Sequence, residues 1–168
     1  RDLIVTGVQT CALPISFVGY FAEKASLHYK NTGALIFTGP TATSTTSGDL
    51  LIDSGSVVFT NGAVWTGSSN ITVSAGTLAV FGGTNATFGG SNAAFNKTRL
   101  NLTSSSTVYL ANDLSEYVRS LTINGTNQPI GTYGSTTSTA QYKQTIFTGN
   151  GILNVMCSEN PATLLLIR

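Results

Sequence analysis

The feature that most constrains how this chain folds is an internal repeat. "LLIDSGSVVF" (Leu50 to Phe59) aligns with "ITVSAGTLAV" (Ile71 to Val80) at an offset of 21 residues, which sets Gly55 on Gly76, Ser56 on Thr77, Val57 on Leu78 and Phe59 on Val80. A third copy, "LNLTSSSTVYL" (Leu100 to Leu110), follows a longer insertion, and a fourth, "LTINGTNQPIGTYG" (Leu121 to Gly134), starts 21 residues after the third. "GALIFTG" before them and "GNGILNV" after them read as further partial copies. Each unit runs apolar, polar, apolar, then a short Gly/Ser/Asn turn, then apolar, polar, apolar. Alternation over such short runs predicts strands with one face inward, and the turn residues supply the backbone angles of a corner. Only "YFAEKASLHY" and "ANDLSEYVRS" have the makings of a turn or two of helix.

A β-sandwich built from hairpins and a β-helix with one coil per repeat both accommodate short strands at this spacing. A sandwich needs strands of different character at edge and centre, whereas coils stacked about 4.8 Å apart put like residues over like. The register of Gly55 on Gly76 favours the coil. The expected fold is therefore all-β, a right-handed single-stranded β-helix (β-solenoid) fragment of roughly five to six coils. Asn and Thr are expected to form hydrogen-bonded ladders at the corners, and "FGGTNATFGGSNAAFNKT" (Phe81 to Thr98) to be a loop on the outside.

Composition narrows the class. Charged residues are 9% of the chain, against roughly 25% in ordinary soluble domains, and none lies between Ser54 and Asn96. No apolar run approaches the roughly 20 residues of a membrane-spanning helix. The net charge is +1, and Lys24, Lys30, Lys97, Arg99, Arg119 and Lys143 are scattered; nucleic acid, whose phosphates require clustered cations, is not an expected partner. Cys11 and Cys157 lie at opposite ends in atypical segments and make only a weak argument for a disulfide in an oxidising compartment.

"SAGTLAV", "DSGSVVF" and "GNGILNV" resemble the Gly-small-aliphatic units of autotransporter-associated β-strand repeats, found in passenger-type right-handed β-helices. "YVRSLTINGTNQPIGTYGSTTSTAQYKQTIFTGNGILNV" (Tyr117 to Val155) resembles the terminal module of such bacterial surface proteins. There, a strand-Asn-Gly turn leads into Gly-Thr-Tyr-Gly and then a Phe-x-Gly-x-Gly strand that closes the stack. Glu159, Asn160, Pro161, Ala162 and Thr163, followed by Leu164 to Ile167, resemble the beginning of a PEP-CTERM sorting tail. Ser158 stands where that pattern has Pro, and Asn160 intervenes between Glu and Pro. These resemblances imply a secreted or cell-surface protein of a bacterium with a Gram-negative type envelope. They imply a membrane encounter that is only transient, through a C-terminal helix beyond this sequence.

The opening stretch "VTGVQTCALPIS" (Val5 to Ser16) lacks the repeat's alternation, and Gln9 and Pro14 interrupt its apolar run. It also lacks the ordered basic start, apolar region and small-residue cleavage site of a signal peptide. Val5 to Ile15 resemble the in-frame translation of a short-read library adaptor. Residues 1–16 are accordingly expected to be non-native, 17–155 to be the β-helix with its closing module over 117–155, and 156–168 to be the truncated sorting tail. A stack opened at its first coil is expected to associate end to end, with residues 5–16 poorly packed or laid as an improvised strand over that coil.

Catalytic constellations are sparse. His28 is the sole histidine, and the carboxylates between Phe17 and Val155 are Glu23, Asp49, Asp53, Asp113 and Glu116. Asp49 and Asp53 share the outer side of one strand, whereas a glycosidase places two carboxylates across a cleft. Neither "FGGTN" nor "FGGSN" carries the Asp of repeat-borne calcium sites. The Asn-x-Ser/Thr matches at Asn70, Asn85, Asn96, Asn101 and Asn124 read as corner residues. The expectation is a non-enzymatic passenger or stalk-like structural or adhesion protein, without cofactor or metal, meeting extracellular polysaccharide or other surface proteins. The alternative is a carbohydrate-binding or carbohydrate-enzyme-associated module in which Trp65, Tyr133 and Tyr142 form an aromatic platform; against it, Trp65 opens a coil, where such a ring caps or packs.

Overall fold

The structure, a computed structural model, describes residues 3–6, 15–17, 26–39, 43–44, 48–65, 70–82, 87–92 and 95–159. Short strands β1 (Leu3–Thr6) and β2 (Ile15–Phe17) precede the long β3 (Leu27–Thr38), and β4 (Thr43–Ser44) precedes the long β5 (Leu50–Thr60). Then come β6 (Val64–Trp65), β7 (Asn70–Val73), β8 (Thr77–Phe81), β9 (Arg99–Leu102) and β10 (Thr107–Leu110). The C-terminal part holds β11 (Ser115–Val118), β12 (Ser120–Ile123), β13 (Thr126–Asn127), β14 (Gly131–Gly134), β15 (Tyr142–Lys143), β16 (Phe147–Thr148) and β17 (Ile152–Val155). The described residues contain no helix, so the chain is all-β. Both segments with helical capacity run into strands. Leu27–Tyr29 belong to β3, and Ser115–Val118 form β11, where burial alternates residue by residue and pairing with β17 overrides local propensity.

Pairing follows the repeat. β5 pairs in parallel with β7 through Leu50↔Ile71 and Ile52↔Val73, and with β8 through Ser56↔Thr77, Val57↔Leu78 and Phe59↔Val80. β9 continues the first ladder with Ile71↔Leu100, and β12 continues it with Leu100↔Leu121. β10 continues the second with Leu78↔Val108, and β16 adds Val108↔Phe147. On the other side β3 spans both ladders, with Leu27↔Leu50, Leu35↔Val57 and Phe37↔Phe59. One sheet thus forks at β5 into two arms, one for each half of the repeat. Leu27, Leu50, Ile71, Leu100 and Leu121 form a fully buried column along the first arm. Each such side chain is worth about 1.5–3 kcal/mol of apolar burial.

The fork depends on glycine. Gly55 has φ +71°, and a Cβ there would lie 2.2 Å from the Asn31 carbonyl oxygen and 2.7 Å from that of Gly33. Gly76 stacks on it, with the Gly55 carbonyl oxygen 2.8 Å and Ile52 Cγ2 2.6 Å from its own added Cβ. Backbones therefore approach at this corner more closely than any side chain permits. Outward amides and hydroxyls bond between neighbouring strands nearby: Asn61 Nδ2 donates to Thr38 Oγ1 at 3.1 Å, Asn70 Nδ2 to Asp49 at 3.2 Å, and Ser104 N to Asn124 Oδ1 at 2.7 Å.

Several expectations need correction. "GNGILNV" does not continue either arm: β17 pairs in parallel with β11 and antiparallel with β14, in a separate four-stranded sheet. Its alternation resembles that of a repeat unit, yet the partner strand is set by the chain's path through residues 135–151. The Phe81–Thr98 insertion is not wholly an outer loop. Thr87, Phe88, Asn96 and Thr98 are buried, and the Phe88 ring meets Phe59 edge-on at 5.8 Å, because an insertion that supplies an apolar ring to the core recovers burial an outer loop forgoes. The sheets are mixed, with β12–β13 and β14–β17 antiparallel. The backbone of β1 pairs with Leu27–Lys30 and that of β2 with Leu35–Phe37, so β3 does not present an open edge there. Cys11 and Asn85 lie outside the described residues.

Substituting the corner separates backbone strain from space. Gly55→Ala is expected to lower unfolding stability by about 2–4 kcal/mol, because it adds overlap with carbonyl oxygens to the cost of positive φ. Gly62→Ala, also at positive φ but with nothing within 4 Å of the new Cβ, is expected to lose no more than about 1–2 kcal/mol. Urea midpoints at constant m-value measure both.

Candidate functional site

The residues singled out for an aromatic platform separate. Trp65 ends β6 and is 1% exposed; its ring packs 5.7 Å from Phe37 and 6.3 Å from Phe59, and its backbone N–H donates to the Thr87 carbonyl at 2.6 Å. Phe37 and Phe59 stack on each other at 5.1 Å, so Trp65 completes an aromatic cluster in the interior. Tyr133 and Tyr142 do come together, stacked at 4.9 Å through the β14–β15 pairing. Tyr133 is fully buried and donates its hydroxyl to the Pro129 carbonyl at 2.8 Å; burial, with the Tyr142 phenol alongside, pushes its phenol up to about 12. Tyr142 is half-buried. The expected platform of three rings therefore does not form in this structure, because two of its members are spent on packing.

The charged side chains are engaged locally. His28 Nε2 lies 2.6 Å from Asp53 Oδ2 across the β3–β5 ladder, and Asp49 accepts from Asn70 N at 3.0 Å. Asp53 in β5 and Asp49 just before it alternate with the buried Leu50 and Ile52, as the sequence predicts. Glu159, which follows β17, accepts from Arg99 Nε at 2.8 and 2.9 Å and from Arg119 Nε at 3.3 Å. Asn160 and Pro161, its companions in the expected sorting motif, lie outside the described residues.

The carboxylate whose setting sequence reasoning missed is Glu116. It points inward from β11 and is 0% exposed. One oxygen accepts from Thr87 N at 2.9 Å and the other from Thr87 Oγ1 at 2.8 Å, and the Phe88 amide also bonds to it. Burial pushes the Glu116 carboxyl up to about 7, and the Thr87 and Phe88 bonds oppose that rise without cancelling it. Glu116 is thus the pin that holds the inserted segment against β11. The only sequence hint was a Glu at an inward position of an alternating run, and its partner lay across a segment with no repeat to align it.

Beyond the turn following β10, a cleft of about 470 Å³ opens between Asn112–Ser115 and Thr137–Thr139, with Asn150 and Ile152 completing it. Asp113, at φ +64°, is its one carboxylate among the lining residues; the cleft offers amides and hydroxyls for hydrogen bonding and no paired carboxylates for general acid–base work. Among the described residues no three His, Cys, Asp or Glu side chains cluster as metal ligands, and no helix is long and apolar enough to cross a membrane. No protein-family model, curated protein or solved structure matches the chain.

Glu116 gives a pH signature with a definite sign. Its carboxyl titrates near 7 when folded and near 4.5 when unfolded, so between these values the folded state binds the extra proton and its stability falls as pH rises. The contribution is full below about pH 4.5 and is lost as pH rises through about 7, with a span of about 3–4 kcal/mol. Glu116→Gln is expected to flatten this slope, and Glu116→Ala to flatten it too while orphaning the Thr87 and Phe88 donors, so that its cost is largest near pH 4, at about 1–3 kcal/mol or more, and shrinks toward pH 8 as the wild type loses its own contribution. Denaturant titrations from pH 4 to pH 8 measure both, and an unchanged slope in the Gln variant would falsify the assignment.

Proposed function

We propose that the chain is part of a right-handed β-solenoid in which each repeat is one coil, and that it serves as a non-enzymatic structural or adhesive element of a secreted or cell-surface bacterial protein. The observation that carries this reading is the parallel pairing of each repeat with the next, apolar on apolar, along both arms of the forked sheet. Parallel neighbours need a connection of a dozen or more residues to return the chain. Here the repeat offset is 21 residues, the two halves of β5 pair with their counterparts one repeat on, and β6 pairs with β4 one repeat back, the connectivity expected of a winding coil. The sheets β4–β6 and β11–β17–β14–β15 serve in this reading as the remaining wall and its closure.

The role follows from what such a stack offers. Stability accumulates through nearest-neighbour contacts, so length is gained by adding coils. No charged residue lies between Ser54 and Asn96, a composition suited to extracellular surroundings. The resemblance of Glu159–Ile167 to a sorting tail supports export. His28 and Asp53 bond to each other, and Asp49 accepts from Asn70, an arrangement of structural contacts.

Duplication of one coil tests the reading. A variant carrying a second copy of residues 50–70 directly after residue 70 is expected to fold cooperatively and to lengthen by about 4.8 Å in solution scattering. Loss of cooperative unfolding, or growth in girth rather than length, would refute the coil. Turnover of any polysaccharide that disappears in Asp49→Ala and Asp53→Ala would refute the non-enzymatic part.

A further inference from the structure

The contact between Glu159 and the two arginines is built from the ladder outward. Leu100 and Leu102 of β9 point into the core, so Arg99 and Asn101 face out. Arg119 immediately precedes β12, and its backbone N–H donates to the Thr98 carbonyl at 2.8 Å, which places it diagonally beside Arg99. Two guanidinium groups are thereby brought together by backbone pairing on adjacent strands. The carboxylate they share is held through both oxygens by Arg99 and through one by Arg119. All three side chains keep between 35% and 41% of their surface in solvent, so the contact is accessible and exchangeable, as partly exposed ion pairs are.

From this geometry we infer that Arg99 and Arg119 form a carboxylate-recognition site for an acidic polysaccharide, a uronate polymer, and that Glu159 occupies it in cis. The inference rests on the reading of the chain as a secreted or surface protein, where such polymers are met. The surroundings select a glycan over an acidic peptide. Beside the arginines the outer face carries Thr72, Asn101, Thr122 and Asn127, all at least partly exposed, on consecutive strands of one arm. Amides and hydroxyls in such a strip exchange hydrogen bonds with sugar hydroxyls. These four polar side chains offer no apolar surface to a peptide's alternate residues, and the β12 edge that a peptide strand would extend is already paired with β13. Both guanidinium groups donate to Glu159 through Nε, and a uronate carboxylate offers the same pair of acceptor oxygens to these planar donors.

Binding of the full chain to polygalacturonate, with dextran and poly-glutamate as comparators, tests this. The chain is expected to bind polygalacturonate, weakly and not at about 1 M salt, where screening extends over only about 3 Å, and not to bind dextran. Glu159→Ala removes the resident carboxylate and is expected to tighten polygalacturonate binding by up to about fivefold, the worth of an exposed pair. The Arg99→Gln/Arg119→Gln double variant is expected to abolish it, and the Arg99→Lys/Arg119→Lys variant, which keeps charge without the fork, to retain part. An unchanged affinity in Glu159→Ala, undiminished binding in the Gln double variant, or poly-glutamate bound as tightly as polygalacturonate each overturns the proposal. Scattering on the coil-duplicated chain reads the solenoid separately, so failure of the glycan site and failure of the coil are distinguishable.

Discussion

Apolar side chains lying directly over their counterparts one repeat on are the constraint from which the rest of this structure follows. Burying Leu50 is favourable only where Leu27 and Ile71 lie on either side in register, and the parallel ladder fixes that register through every backbone hydrogen bond. A slip of one residue would turn every inward Leu, Ile and Val to solvent. Corner glycines are subordinate to this requirement: Gly55 and Gly76 let the chain change direction without lifting the two arms apart. The outward amides then bond across strands because the ladder has already brought them to hydrogen-bond distance.

Because the constraint is periodic, it was legible. The alignment of Ser56 with Thr77, Val57 with Leu78 and Leu100 with Leu121 in sequence is the pairing found in space, and "GALIFTG" stacks on the second half of β5 as a partial copy should. What periodicity does not reach is less legible. Phe88, Thr87 and Glu116 meet across a segment that has no counterpart in the other repeats, so no register placed them. β17 has the right alternation but a different partner, since alternation specifies which face is buried and not which strand lies alongside. Trp65 illustrates a third limit. Its size suits a ligand platform or a core equally, and the choice was made by Phe37 and Phe59, which the stack sets at its ring.

Glu116 and Glu159 show two ways in which a charge-poor chain uses a carboxylate. Glu116 lies where water is excluded, so its ionisation is tied to the backbone amides of the inserted segment. Glu159 lies where water competes, and its contact with Arg99 and Arg119 is defined in geometry but replaceable. The first fastens one part of the chain to another. The second makes the same kind of connection reversible.

The antiparallel turn-backs at the C-terminal side carry a consequence for how such a chain acquires its length. β13 folds back on β12, and β14 lies antiparallel on β17. A new strand arriving at these positions would find no parallel edge in the repeat's register. From β5 to β10, by contrast, the parallel ladders keep one register, and a duplicated gene segment meets neighbours that already match it. Growth by tandem duplication is therefore channelled into the parallel ladders, and the mixed C-terminal sheet is inherited intact however long those ladders become.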